Sequence, residues 1–401
     1  MNHSTVFADA LRERSRARLT ARQDEVIALS HSLHAEPELA YEETRSAAKI
    51  ADLMEGSGFA VARGVCDLPT AFTATAGSGD LVIGICAEFD ALPGIGHACG
   101  HNVNGAAAVA AALSLAEIAD EIGVTVKLLG TPAEEYGGGK VDMIHGGAFD
   151  DVAAAMMVHA GPEDCAGACT LAISSWQVSY TGTPAHAAVM PHRGVNAADA
   201  MTLAQVAIGL QRQQMIPGGI VHGFVASAGE APNVIPARAD ASYDCRAETL
   251  EDLRELQRAI RACFAAGALA TGADLEIRSV GNDYVDLHQD TTMASVYADA
   301  ASRLGRTVIP SEQGMRGAST DMGNVSHLVP SIHPFIGYNT NNPTAHHPEF
   351  TRYGTSDGAD RAVLDGGLAM AWTALALATD ASHRTSLLGR LAGRQTGTTG
   401  N

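Results

Sequence analysis

Apolar residues recur along this chain in two rhythms. Near the start, Leu11, Leu19, Val26, Leu29 and Leu33 return at close to a 3.6-residue period, which predicts helix over residues 7–34, ended by Pro37. Glu42-Glu43-Thr44 opens a second helix through Met54, stopped by Gly56 and Gly58. Short apolar runs then predict strands at 71–75, 81–87, 124–129 and 152–158. The last three each run into polar residues: Glu88-Phe89-Asp90 through His101, Glu134-Glu135, and His159. Between the first two lies a helix of small residues, 105–119. Strands alternating with helices imply an α/β fold, a mostly parallel sheet with helices on both faces. In such sheets, sites form at the carboxyl ends of the strands.

Near Ala172 the texture changes. Residues 174–180 alternate like a half-exposed strand, 196–213 read as helix, 219–228 and 238–246 as strands, 250–270 as helix and 275–280 as strand. That order, β-α-β-β-α-β, suits a ferredoxin-like α+β sandwich. The expected organisation is a first part of one domain over 1–171, an inserted domain over 172–282, and the rest of the first domain over 283–391. In that last part, a helix at 291–304, a strand at 329–337 and an apolar helix at 362–378 complete the first domain. Residues 392–401 read as a disordered tail.

A length of 401 residues fits two domains better than one core. Hydrophobic residues make up 46 % and charged residues 18 %, which places the chain among globular proteins. The net charge of −19 repels phosphate backbones and anionic lipid, so neither nucleic acid nor membrane is expected as a partner. The seven cysteines form no small-domain disulfide pattern, and reduced thiols are expected. No signal core and no apolar run of membrane-spanning length is evident, so the expected location is cytoplasmic.

Three side-chain types, thiol, imidazole and carboxylate, crowd these strand ends. Cys99 and His101, one residue apart on a glycine-bearing loop, suit zinc and similar borderline metals. A buried thiol beside a helix-capping imidazole would give the same sequence. Two adjacent carboxylates after a buried strand, Glu134 and Glu135, are costly unless they bind something. Their side chains diverge, so one can ligate while the other takes a proton from water; a solvated acidic turn is the plainer alternative. His159 reads as a ligand or a core histidine, and His346-His347-Pro348 as a returning ligand or a surface loop. Gly137-Gly138-Gly139-Lys140 lacks the spacing of a phosphate-binding loop, and its acidic neighbours would repel phosphate.

Together these motifs resemble the co-catalytic metallo-amidohydrolases and metallopeptidases that include aminoacylases and carboxypeptidases. Within them the chain is most similar to the branch of indole-acetyl-amino-acid hydrolases, aminobenzoyl-glutamate hydrolases and β-alanyl-lysine-dipeptidase-like proteins. The resemblance runs from about His34 to Phe350. Its most specific part is Glu-Phe-Asp-Ala-Leu-Pro-Gly-Ile-Gly-His-Ala-Cys-Gly-His-Asn from Glu88, with Ser319-Thr320-Asp321-Met322-Gly323 as a later motif. It implies a metallopeptidase-type catalytic domain and an inserted lid and dimerisation domain. It implies two divalent metal ions, zinc first and manganese or cobalt next, held by Cys99, His101, Glu135, His159 and His346, with Cys99 bridging. Glu134 matches the general base, and Asp90 the acid that orients a ligand imidazole. His186 matches a histidine that reaches a partner subunit's site in a homodimer. Asn233 and Arg246 match holders of the substrate carbonyl and carboxylate. Two positions depart: Glu88 stands where other branches place a ligand histidine, and Asn102 where the plant-type branch has an acid.

The expected activity is metal-dependent hydrolysis of the amide bond of N-acyl amino acids or dipeptide-like substrates. The alternatives are a dipeptidase acting on β-alanyl or lysyl dipeptides and, from another class, a metal-free binding or regulatory protein that kept the fold.

Overall fold

Two helices rather than one begin the chain, α1 (His3–Thr20) and α2 (Gln23–Ala35). The expected single helix breaks at Ala21-Arg22, and the Arg22 guanidinium reaches Ser57 Oγ at 3.1 Å. Leu11, Leu19, Val26 and Leu33 still enter one core, so the apolar period survives the change of axis. This is a computed structural model, and it describes residues 3–314, 316–338 and 345–397.

Next come α3 (Thr44–Gly56), β1 (Ala60–Arg63), β2 (Phe72–Ala76), β3 (Leu81–Ala87) and α4 (His101–Ala116). They are followed by β4 (Val124–Gly130), α5 (Gly139–His145), β5 (Ala154–Met156) and β6 (His159–Gly161). Strand β1 had no sequence signal because it is a four-residue, largely exposed edge, too short for an alternation to show.

The chain then forms β7 (Ala172–Thr181), α6 (Ala197–Gln211), β8 (Ile220–Ala228), β9 (Arg238–Ala247), α7 (Leu250–Thr271) and β10 (Asp274–Ser279). It closes with α8 (Thr291–Arg303), α9 (Met322–Leu328), β11 (Ser331–Ile332), β12 (Phe335–Gly337), α10 (Pro348–Thr351), α11 (Asp357–Thr379) and α12 (Ala381–Gly397). Helix α12 takes in residues 392–397, which the sequence had placed in a disordered tail. Residues 398–401 lie outside the described residues.

The chain divides into two compact units. One holds the residues up to Cys169 and from Leu287 onward; the other is Thr170–Asp286.

The first unit is built on a six-stranded sheet in the order β1-β2-β4-β3-β5-β11. Strands β4, β3, β5 and β11 run parallel, and β1 and β2 are antiparallel additions. Ile83 and Ile85 face a core shared with α4 and α11, while Cys86 and Leu129 face a second core with Met143 of α5 and Val325 of α9. Both faces of the sheet are therefore covered. Helix α11 is 23 residues long and apolar enough to cross a membrane by length and composition, but 78 % of its apolar window is buried. It is a core helix of this unit, packed with α4.

The strand expected at 152–158 is shortened to β5 and followed by a separate β6, and the strand expected at 329–337 is split into β11 and β12. Met157-Val158 separates β5 from β6, and His333-Pro334 separates β11 from β12; a proline cannot donate to a ladder. Beyond the split, β6 and β12 pair in parallel outside the large sheet, with His159 opposite Phe335. The bend carries His159 past the sheet edge toward the loop that follows β3.

The second unit is a four-stranded antiparallel sheet, order β10-β7-β9-β8, with α6 and α7 packed on one face. Along β7, Ala172, Ser174, Trp176, Val178 and Tyr180 are buried in alternation, as a half-covered sheet requires. Asn196 and Thr249 cap the two helices by accepting backbone N–H bonds. The β-α-β-β-α-β order is the ferredoxin-like arrangement expected.

Candidate metal centre

The centre begins with a turn that only glycine makes easily. Gly100 has φ +80° and precedes His101, the first residue of α4. A Cβ there would lie 2.4 Å from the Ala160 Cβ. Glycine thus lets the thiol and imidazole loop press against the residue that follows His159.

Cys99 Sγ lies 3.7 Å from His159 Nε2. The other ring nitrogen of His159 is 2.8 Å from the Ala160 carbonyl, which can only accept. That bond fixes the proton on Nδ1 and leaves the Nε2 lone pair aimed at the sulfur. His101 Nδ1 lies 3.0 Å from Asp90 Oδ1, while its Nε2 has no hydrogen-bond partner among the described residues. Asp90 also accepts from the Glu135 backbone N at 2.9 Å. One carboxylate therefore orients both an imidazole and the acidic turn.

That turn is strained. Ala133, fully buried, sits at φ +59°, a region side-chain-bearing residues seldom adopt. Its backbone N donates to Glu43 Oε1 at 2.8 Å. The turn brings both carboxylates to one imidazole, with Glu134 Oε2 3.7 Å and Glu135 Oε1 3.8 Å from His101 Nε2. Glu135 Oε2 meets His346 Nε2 at 3.2 Å, and Glu135 Oε1 has no hydrogen bond among the described residues. His346 is itself at φ +65°, with its N bonded to the Ala98 carbonyl at 2.9 Å. His347 instead caps α10, its Nδ1 accepting from the Glu349 N at 3.2 Å. Of the two adjacent histidines, His346 is the one that faces the acidic turn.

The donor atoms of Cys99, His101 and His159 all lie within 4.8 Å of one another, and so do those of Cys99, Glu135 and His346. The two triplets share the sulfur. Thiolate, imidazole and carboxylate form a donor set suited to borderline divalent ions, and two donors, His101 Nε2 and Glu135 Oε1, are buried without a partner among the described residues. Burial pushes the Cys99 thiol well above its ordinary range, and Glu135 adds to the rise. Only a nearby cation would hold that sulfur as a thiolate. These residues fit a two-cation centre.

Glu134 is nearly buried, 3.7 Å from His101 Nε2. Burial, with Glu88 and Glu135 beside it, pushes its carboxyl well above the usual range, which suits a proton carrier. Burial raises Glu135 too, but His346 and His101 outweigh it and hold Glu135 below the usual range. Two neighbouring acids are thus driven apart.

Sequence reasoning missed the groups beneath. Lys140 is fully buried, with Nζ 2.6 Å from both Glu88 Oε1 and Asp321 Oδ1. Glu88, one of the two positions where the sequence departs from the resemblance, shares the Lys140 ammonium with Asp321 and has its other oxygen 3.5 Å from His101 Nε2. Removing one partner of such a buried group costs roughly 3–5 kcal/mol. Asn102 is also structural: its Nδ2 donates to Ser30 Oγ at 3.0 Å and to the Gly354 carbonyl at 2.8 Å.

The remaining three sequence-predicted residues lie in the second unit. His186 and Asn233 are exposed on adjacent segments joined by the Ala187 N to Asn233 O bond at 3.0 Å. The His186 ring accepts from Ala188 N at 3.3 Å, closing a local turn. Arg246 is on β9, on the face away from the buried positions Cys245 and Ala247.

Residues 84–359 match the model of peptidase family M20/M25/M40. The chain is 37 % identical over 388 residues to Xaa-Arg dipeptidase of Mus musculus, covering 93 % of this chain and 90 % of the relative. It is 36 % identical over 265 residues to one of the subunits of p-aminobenzoyl-glutamate hydrolase of Escherichia coli (strain K12), covering 60 % of this chain and 55 % of that protein. The crystal structure of the Bacillus subtilis YXEP protein, a dinuclear metal binding peptidase from the M20 family, superposes with a TM-score of 0.68. The match has 23 % identity and covers 89 % of this chain and 99 % of that one, a likeness of fold.

Proposed function

The chain belongs to peptidase family M20/M25/M40, and on that premise we propose that it hydrolyses the amide bond of N-acyl amino acids or dipeptides at the centre built around Cys99. As a member of this family it is a hydrolase of C–N amide bonds. The observation that carries the site is the pair of donor triplets meeting at one sulfur, with an elevated carboxyl, Glu134, beside them.

Cys99, His101, Glu135, His159 and His346 would hold two divalent cations, zinc first and manganese or cobalt next. Bound there, they supply Lewis acidity to the amide carbonyl and to the attacking water. Glu134 accepts a proton from that water as its oxygen adds to the carbonyl carbon. The proton then passes from Glu134 to the amide nitrogen, the C–N bond breaks, and the second proton of the water moves from the new carboxyl to the amine, so a carboxylate and an ammonium leave. Asp90 keeps the His101 ring and the Glu135 backbone in place meanwhile. Asn233 and His186, the latter from a second subunit, donate to the oxyanion, and Arg246 grips the carboxylate of the amino-acid portion.

A homodimer through the inserted unit is part of this reading. The exposed apolar side chains Leu203, Val206, Leu210 and Phe224 of that unit support it. The seven unpaired cysteines support a reducing, cytoplasmic location.

A dipeptide is favoured over a simple acyl amino acid by the kinship with an Xaa-Arg dipeptidase at 37 % identity, and the charge of −19 suits a cationic substrate. An activity panel of acetylated amino acids and of β-alanyl, lysyl and Xaa-Arg dipeptides, after loading with each metal in turn, tests the proposal. Turnover of at least one amide with metal, and none after chelation, is the expected result. Freshly purified protein free of tightly bound metal and inert on the whole panel points instead to a metal-free binding protein.

A further inference from the structure

The buried polar groups beneath the centre form one connected line. The Asp321 carboxylate takes bonds from the Lys140 backbone N at 2.9 Å and from Lys140 Nζ at 2.6 Å. Lys140 Nζ also donates to Glu88 Oε1 at 2.6 Å. Glu88 Oε2 accepts from Asn104 Nδ2 at 3.1 Å, and Asn104 Oδ1 accepts from the Ala160 backbone N at 2.8 Å. Asp321, Lys140, Glu88 and Asn104 are each at most 1 % exposed.

This line joins the parts that carry the donors. Asn104 lies one turn after His101 on α4, Ala160 follows His159 on β6, and Glu88 follows β3. Lys140 is the second residue of α5, five positions after Glu135, and Asp321 immediately precedes α9. The carboxylate oxygens of Glu88, Glu134 and Asp321 come within 4.8 Å of one another. The cation in that acidic cage is supplied by the chain, as the Lys140 ammonium.

From this juxtaposition we infer that Asn104, with the Lys140–Glu88–Asp321 group behind it, is a positioning residue that sets the spacing between His101 and His159. The inference rests on the two-cation reading above. Asn104 acts through the backbone on either side: its own helix turn carries His101, and its carbonyl oxygen holds the amide beside His159. Glu88 fixes the amide group of Asn104 in one orientation, because a carboxylate only accepts and so must face the NH2. Lys140 fixes Glu88 in turn. Glu88, a position where the sequence departs from the resemblance, is thereby given to orientation.

The test uses Co2+ as the probe on the full-length chain. Chelated protein is titrated with Co2+, and the visible bands and the near-ultraviolet thiolate band are recorded for wild type, Asn104→Ala and Asn104→Asp. The aspartate keeps the acceptor for Ala160 but loses the donor to Glu88. In folded variants, Co2+ affinity is expected to fall about 10–100-fold, as for removal of other outer partners of a metal site, with the bands displaced. With whichever amide the panel identifies, the loss is expected in kcat and not in KM. Adding Glu88→Gln to Asn104→Asp reverses donor and acceptor, and is expected to restore most of the affinity. If Asn104→Asp does not fold, Asn104→Ala, which only deletes, decides. A folded Asn104→Ala with wild-type bands and affinity overturns the inference. A wild-type protein without a thiolate–cobalt band overturns the two-cation reading itself, so the two failures are distinct.

Discussion

Cys99 Sγ and His159 Nε2 stand 3.7 Å apart although sixty positions separate them in the chain. They come from different elements: one closes the loop after β3, the other opens β6. The sulfur is common to both donor triplets. Cys99→Ala is therefore expected to remove both cations, where loss of an end ligand such as His346 weakens one. Metal analysis after gel filtration measures this. The loss in affinity is expected to exceed the roughly 10–100-fold typical of an outer partner, and a Cys99→Ala protein that keeps two metals per chain disproves the shared sulfur.

Glu134 and Glu135 are neighbours whose carboxyls are shifted in opposite directions, and substitution tests the separate roles proposed for them. Glu134→Gln preserves volume and removes the proton acceptor. Its kcat is expected to drop by about 10²–10⁴, the usual contribution of a general base, with metal content unchanged. Glu135→Gln is expected to lose metal. Equal turnover in wild type and Glu134→Gln would exclude Glu134 as the base.

Glu43 links pH to stability. Burial, followed by the Asp90 carboxylate, pushes its carboxyl up to about 7. The folded chain thus holds a proton there that the unfolded chain releases near the ordinary value of about 4.3. Stability falls as pH rises through that interval, because the native state binds more protons than the unfolded one. Glu43→Gln still accepts from the Ala133 N and has no charge to desolvate. Between about pH 4.5 and 7, chelated wild type is expected to lose roughly 3 kcal/mol relative to Glu43→Gln. Urea unfolding at several pH values measures the gap, and a gap that stays constant removes the argument.

Gly100 cannot be replaced cheaply. Alanine at φ +80° is strained, and its methyl would fall 2.4 Å from that of Ala160. Strain of about 1–2 kcal/mol and a further 1–3 kcal/mol or so of overpacking are expected for Gly100→Ala, read as a lower urea midpoint. Gly94, whose added methyl would meet nothing within 4 Å, is the matched control and is expected to show strain alone.

Much of this architecture is legible in the order of residues. The runs 81–87 and 124–129 correspond to β3 and β4 because a buried strand is an unbroken apolar run, and its carboxyl end is visible where polar residues begin. The inserted unit is legible because β7 alternates and α6 and α7 carry capping residues. The role of Lys140 is not. A charged residue in a glycine-rich turn reads as solvent-facing, and nothing local announces that Asp321, 181 positions later, will meet it. The turn at Ala133 is equally silent, since alanine does not favour the left-handed conformation that the site imposes. The split at His333-Pro334 is marked by its proline, but the apolar run around it reads as one strand.

Helix α4 meets α11 across a surface of methyl groups and bare backbone. An added methyl at Gly367 would lie 2.3 Å from that of Ala110 and 3.1 Å from the Ala107 carbonyl oxygen. Hydrostatic pressure unfolds a protein by eliminating its internal voids, and such a seam has almost none to eliminate. Under compression, the helix that begins with His101 should be among the last parts of its unit to yield.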